Sequence, residues 1–76
     1  MGEQFTRADA DLMALRFLRD NGPHTLGPLE DEGAVAAALV FLDLTKRGLV
    51  SKRDFGKGYL QFSLTPNGAE HAEAAA

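Results

Sequence analysis

The stretch from Gly33 to Val50, GAVAAALVFLDLTKRGLV, decides how the rest of the chain must be arranged. No side chain in residues 34–42 is polar, and this run is too short to cross a bilayer, which needs about 20 apolar residues. The basic pair at 46–47 suits the last turn of a helix, and Gly48 can adopt the left-handed conformation that ends one. The pattern predicts a helix over 34–47 that protein covers on nearly every side.

A preceding helix is predicted over 7–20. Thr6 suits the N-cap position and Asp9 the N3 position, which together form a capping box with a short acid. The sequence Asn-Gly-Pro at 21–23 ends the helix, because glycine and proline both disfavour its continuation.

The segment between these helices allows two arrangements. Gly27-Pro28 is typical of a helix start, since proline is favoured at the first helical position, and the acids at 30–32 suit a first turn. Either a short helix spans 26–31 and the chain turns at Gly33, or one helix runs over 28–47 and keeps that glycine at a cost of about 1 kcal/mol. We favour the break at Gly33.

After Gly48 the apolar period changes from helical to alternating, which predicts a two-stranded hairpin over 49–64 with its tip at Phe55–Gly58. A lone hairpin is marginal in water, so its apolar face must pack on the helices. Thr65 then suits the N-cap of a last helix over 66–74, although the alanine-rich end of the chain should fray.

Composition limits the class of protein. The 76 residues allow one domain over 1–76. The chain has no cysteine, which excludes disulfides and thiolate metal sites. Its first residues, MGEQFTRADAD, lack the basic start and apolar core of a signal peptide, so we expect a cytoplasmic protein with no membrane partner.

Catalytic and metal-binding patterns are not evident in the sequence. His24 and His71 have no second ligand at helical or turn spacing, so we expect exposed histidines and no metal site. No serine, histidine and aspartate follow a readable catalytic arrangement, and a core of this size leaves little room for an enzyme pocket. We therefore expect no enzymatic activity and no cofactor.

Charge is distributed unevenly along the chain. The formal net charge is −3, but segment 46–58 holds five cations against one carboxylate, which makes it +4 and leaves −7 for the remainder. The net value argues against a strongly basic nucleic-acid binder, whereas the local value predicts a polarised molecule with one positive end.

The predicted order of helix, short helix, helix, hairpin and helix is that of a winged helix. Two segments strengthen the resemblance: KRGLV at 46–50 and FSLTPNG at 62–68. Together they resemble the R-G-L-V, wing, Y-x-L-T-x-x-G pattern of the MarR-type and PadR-type bacterial transcriptional regulators, with a shortened helix-turn-helix part over 25–48. The resemblance implies an α+β winged-helix fold in which the helix ending at Gly48 is the recognition helix and Phe55–Gly58 is the wing tip.

That resemblance implies DNA binding by a small transcriptional regulator of bacterial or phage type. The implied DNA contacts are the cations near the wing, which would neutralise phosphates: Lys46, Arg47, Lys52, Arg53 and Lys57. On the hairpin alone, a charged edge that discourages strand pairing is the better explanation of the wing cations, and the family resemblance brings the two explanations near parity.

The alternative function is a winged-helix protein-interaction module with no nucleic-acid role. The run at 34–42 offers no polar side chain to base edges, and the acids at 30–32 would repel phosphates, so a hydrophobic partner suits this helix better. Either function is compatible with a homodimer, whose predicted interface residues are Met13, Phe17, Val35, Leu39 and Leu42. Solvent exposure of the last three would favour partner binding, and their burial would make the helix core.

Overall fold

The computed structural model describes residues 6–74, which are α+β. The elements follow in the order α1 (Arg7–Asn21), β1 (His24–Leu26), α2 (Glu32–Lys46), β2 (Val50–Gly56), β3 (Tyr59–Leu64) and α3 (Pro66–Ala74). In this part of the chain, three helices lie against one antiparallel sheet with strand order β1-β3-β2. None of these helices has the length and apolar character needed to span a membrane.

Helix α1 begins with the predicted capping box. The Asp9 amide donates to the Thr6 hydroxyl oxygen at 3.1 Å, and the Thr6 amide donates to an Asp9 carboxylate oxygen at 3.0 Å. The helix ends at Asn21, one residue later than predicted, where Gly22 takes a φ of 80° and donates its amide to the Leu18 carbonyl.

The prediction of a short helix over 26–31 was wrong. Residues 24–26 form β1 instead, with His24 opposite Phe62 and Leu26 opposite Leu60 on β3. Six residues make few helical hydrogen bonds, whereas the strand satisfies its backbone groups on a neighbouring strand. The helix-turn-helix unit that this short helix would have completed is therefore not formed, and the sheet has a third strand beyond the predicted hairpin.

Helix α2 begins at Glu32, two residues before the predicted start, because Asp31 is its N-cap. The Ala34 amide donates to an Asp31 carboxylate oxygen at 2.7 Å. Gly33 consequently lies inside the first helical turn, so the favoured break at this glycine was wrong. The alternative of one helix from Pro28 is also excluded, since residues 27–31 are not helical.

The C-terminal end of α2 is the glycine stop that the sequence predicts. Gly48 has a φ of 79° and donates its amide to the Thr45 carbonyl at 3.1 Å, and the Leu49 amide donates to the Leu44 carbonyl at 3.0 Å. This pair of bonds is a Schellman motif, which satisfies the last helical carbonyls and turns the chain into β2.

The helices pack on one face of the sheet. Phe62 on β3 is fully buried, and its ring stacks on that of Phe41 on α2, with 4.9 Å between the ring centres. Leu60 and Leu64 also lie on this face, as the alternation predicts. The buried apolar residues are Leu15, Leu18, Ala38, Phe41, Leu44, Val50, Phe62 and Ala72.

A joint between the α2–β2 turn and α3 is made by residues of the segments 46–50 and 62–68. The Thr65 hydroxyl donates to the Gly48 carbonyl at 2.8 Å, and the Thr65 amide donates to the Leu49 carbonyl at 3.2 Å. Thr65 also caps α3, since its hydroxyl oxygen accepts from the Gly68 amide at 3.0 Å. These residues hold the α2–β2 turn and α3 together, and none of these bonds presents a group to a ligand.

Candidate interaction surfaces

The solvent side of α2 is apolar. Val35 and Leu39 are 39% and 59% exposed, Ala36 is exposed, and Leu42 is half-buried. At 100° per residue these four side chains fall within one arc of the helix, opposite the buried side, because they are spaced three and four residues apart. We call Val35, Ala36, Leu39 and Leu42 the α2 face.

An open groove of about 490 Å³ runs beside the N-terminal half of the α2 face. Its apolar wall includes Leu29, which is 46% exposed and lies in the loop before the helix. The consecutive carboxylates at 30–32 line the same groove. The groove therefore combines apolar surface with an acidic rim, which suits a partner that carries apolar side chains next to cations.

The C-terminal half of the α2 face is flanked by cations. Lys46 and Lys52 line a second groove together with Leu39 and Leu42. Glu32 and Lys46 lie at opposite ends of the helix, about 21 Å apart at 1.5 Å per residue. The α2 face is thus an apolar stripe with an acidic end and a basic end.

Arg47, one of the predicted DNA contacts, is held in an ion-pair network. Its guanidinium donates to Asp11 at 2.6 Å and to Asp43 at 3.3 Å, while Arg7 contacts the same two carboxylates at 3.1 and 3.3 Å. Asp11 is buried between α1 and α2. Burial alone would raise the pKa of Asp11, but the hydrogen bonds from Arg47 and Arg7 outweigh it and hold that pKa below its ordinary value.

Sequence reasoning missed Asp11, although a signal was present. Asp11, Leu15 and Leu18 follow the spacing of one helix face, so an acid stands in line with two core leucines. An acid at such a position needs a cation partner, because an unpaired buried carboxylate is costly. The same network raises the pKa of Arg47 through its hydrogen bonds to Asp11 and Asp43.

The other predicted DNA contacts are exposed but do not share one surface. Lys52 lies opposite Phe62 in the strand register and Arg53 opposite Gln61, so the two side chains leave opposite faces of the sheet. The Arg53 guanidinium carbon lies 5.3 Å from the centre of the exposed Phe55 ring. Within residues 6–74, no carboxylate forms an ion pair with Arg53 or with the predicted contacts Lys46, Lys52 and Lys57.

The wing tip is a two-residue turn at Lys57-Gly58. Both residues have positive φ, 57° and 86°, after a bulge between Asp54 and Gly56. Such turns favour Asn-Gly or Gly-Gly, because a side chain such as lysine is disfavoured in the left-handed region. Pro28 lies beside the Cα of Gly58, so the loop before α2 supports the tip.

The two predicted interface residues on α1 differ in their surroundings. Met13 is 62% exposed. Phe17 is 40% exposed and makes an edge-to-face contact with His24, with 5.1 Å between ring centres. His24 is half-buried between Phe17 and Phe41, which corrects the expectation of an exposed histidine, whereas His71 on α3 is exposed. In residues 6–74, no three His, Asp or Glu side chains cluster as metal ligands.

Comparison of the chain with protein-family models, with curated proteins and with solved structures found no match.

Proposed function

We propose that this chain is a winged-helix protein-interaction module that docks an apolar surface of another protein chain on the α2 face. The observation that carries the proposal is the 59% exposure of Leu39 in the middle of α2, with Val35 exposed one turn before it. Burying a valine or leucine side chain contributes about 1.5–3 kcal/mol, so covering this face provides a driving force for association.

The order of elements and the three-stranded antiparallel sheet support a winged-helix arrangement, in which α2 occupies the place of the recognition helix. Recognition helices present polar side chains near their N-terminus to base edges. Here that end carries carboxylates at 30–32 and then the exposed Val35. This chemistry favours a protein partner over a groove of bases, and the lack of cysteine suits a reducing cytoplasm.

The proposal is tested by titrating the ¹⁵N-labelled chain with a synthetic amphipathic helix of leucine and lysine. We expect amide shifts concentrated at residues 29–42, and we expect Leu39→Lys to abolish them. Met13→Lys is the matched control, since Met13 is equally exposed and apolar but lies on α1. Equal loss of binding in both variants, or shifts spread over the whole surface, would contradict a specific α2 site.

A second candidate function is contact with the DNA backbone through the wing, as in a small transcriptional regulator. It is favoured by Lys57, which stands at a positive φ where asparagine or glycine would be less strained. Residues in such conformations cluster at functional sites, and a lysine at a projecting tip suits a phosphate. Lys52 and Arg53 add charge along the same hairpin, whereas Arg47 is engaged by Asp11.

Fluorescence polarisation with a mixed-sequence duplex at low salt tests this second candidate. With three phosphates neutralised by Lys52, Arg53 and Lys57, the logarithm of the affinity should fall with the logarithm of the salt concentration at a slope of about −3. Lys57→Gln should weaken binding and reduce the slope by about one. Arg19→Gln, which removes a cation from the end of α1, is the control. An affinity that does not change with salt concentration, or that Lys57→Gln leaves unchanged, would exclude DNA contact through the wing.

A further inference from the structure

We propose that the α2 face binds a second copy of this chain, with the two α2 helices packed antiparallel about a two-fold axis near Leu39. The inference rests on the proposed function and names its partner. Leu39 lies at the midpoint of Glu32–Lys46, so an antiparallel pair centred there aligns the two helices along their full length.

The charges at the two ends of α2 select this orientation. In the antiparallel pair, Glu32 of one copy lies opposite Lys46 of the other, and symmetry repeats this contact at the far end. The carboxylates at 30–32 and the cations Lys46 and Lys52 then meet twice in one interface. A parallel pair would instead place acid beside acid and base beside base.

Two apolar contacts also form in this register, while Val35 lies opposite Asp43 of the second copy. Leu39 lies opposite Leu39 of the second copy, and the small Ala36 lies opposite the larger Leu42. Small side chains facing large ones allow two helices to approach closely.

A second copy is favoured over an unrelated partner because this chain already carries the complementary surface. A ligand that complements the whole α2 face offers cations at the acidic end and carboxylates at the basic end. Another α2 helix, turned around, offers both, together with an apolar centre of equal length. The contact is a single helix pair, so its area lies at the low end for a dimer and association should occur at micromolar concentrations.

Sedimentation velocity over the micromolar range tests the inference, with circular dichroism to confirm that each variant is folded. The wild-type chain should dimerise, and added salt should weaken the dimer. Glu32→Lys and Lys46→Glu should each weaken it at least about tenfold, which corresponds to about 1.4 kcal/mol, because each creates two like-charge contacts. Glu70→Lys, on the exposed side of α3, makes the same change of charge and should have no effect.

The double variant Glu32→Lys/Lys46→Glu distinguishes the orientations. An antiparallel pair regains both attractive contacts, so the double variant should dimerise again, whereas a parallel pair would not recover. Leu39→Glu should give a monomer. A wild-type chain that stays monomeric, a dimer that both single variants leave intact, or a double variant that fails to recover would overturn the inference. Binding of the leucine–lysine peptide by a monomeric chain would overturn the inference alone and leave the proposed function standing.

Discussion

The Arg47 guanidinium lies 2.6 Å from the Asp11 carboxylate and joins the end of α2 to the middle of α1. The resemblance to the MarR-type regulators assigns Arg47 to DNA, and its position favours a structural role instead. Asp11 is 6% exposed and depends on this partner, because a buried carboxylate without a cation is strongly destabilising. The relationship leads to two predictions about stability.

Asp11→Asn should lower the free energy of unfolding by about 1–3 kcal/mol, since it removes a charged acceptor from two arginines. Urea denaturation followed by circular dichroism measures the change. Asp20→Asn is the control, because Asp20 pairs with Arg19 at the exposed end of α1 and the change should cost less than about 0.5 kcal/mol. Equal effects in the two variants would show that Asp11 is not specially placed.

The lowered pKa of Asp11 also predicts a pH dependence. Its carboxylate binds a proton less readily in the folded chain than in the unfolded chain, where the pKa is about 3.9. The stabilisation is therefore complete above that pH and is lost as the pH falls through the folded value. Urea midpoints measured from neutral pH downward should fall more steeply for the wild type than for Asp11→Asn. Parallel profiles would contradict this assignment.

Gly68→Ala should destabilise the fold by about 1–3 kcal/mol, in the range of overpacked cores. A Cβ at this position would overlap the Leu49 carbonyl, which is backbone and is held by the Thr65 amide. Thermal unfolding measures the effect. Asn67→Ala, at the exposed neighbouring position of the same helix, is the matched control and should change stability by less than about 0.5 kcal/mol. A Gly68→Ala variant as stable as the wild type would contradict the prediction, because α3 would then have to move away from the Leu49 carbonyl at no cost in free energy.

Lys57→Asn should stabilise the hairpin by about 0.5–1 kcal/mol, because asparagine tolerates positive φ better than lysine. The same substitution should weaken any contact of the wing with DNA. Lys52→Asn provides the contrast, since it removes the same charge from a strand where asparagine is disfavoured. Stability and duplex binding should be measured on both variants. Both lose a positive charge, but only Lys57→Asn relieves backbone strain, so a difference in stability reports the strain and a loss of duplex binding reports the charge. A destabilised Lys57→Asn variant would refute the strain argument.

The sequence predicted those elements whose signals are local. The capping box at Thr6, the glycine stop at Gly48 and the alternation in β3 each depend on neighbours in the chain, and all three are present. Strand β1 was missed because its partners lie more than thirty residues away, and three residues carry no periodicity. The start of α2 was misplaced because Gly33 was expected to break the helix, whereas the side-chain cap of Asp31 starts the helix before this glycine.

The same locality limited the prediction of sites. The apolar run at 34–42 is visible in the sequence, but its division into a buried side at Phe41 and an exposed side at Leu39 depends on where the sheet lies. Arg47 was assigned to DNA from its place in a motif, whereas its carboxylate partner Asp11 is far away in sequence and emerges only when α1 packs on α2.

Strand β3 is the central strand of the sheet, and this position imposes an order on folding. Neither β1 nor β2 has a sheet partner until Tyr59–Leu64 is available, so both must wait for the same segment. During synthesis, helices α1 and α2 are made before the strand that completes their core. Until β3 is made, both sides of α2 are exposed to solvent: the side that the sheet covers in the folded protein, and the α2 face. The growing chain should therefore be most prone to aggregation in that interval. The late synthesis of β3 thus determines when this risk of aggregation ends.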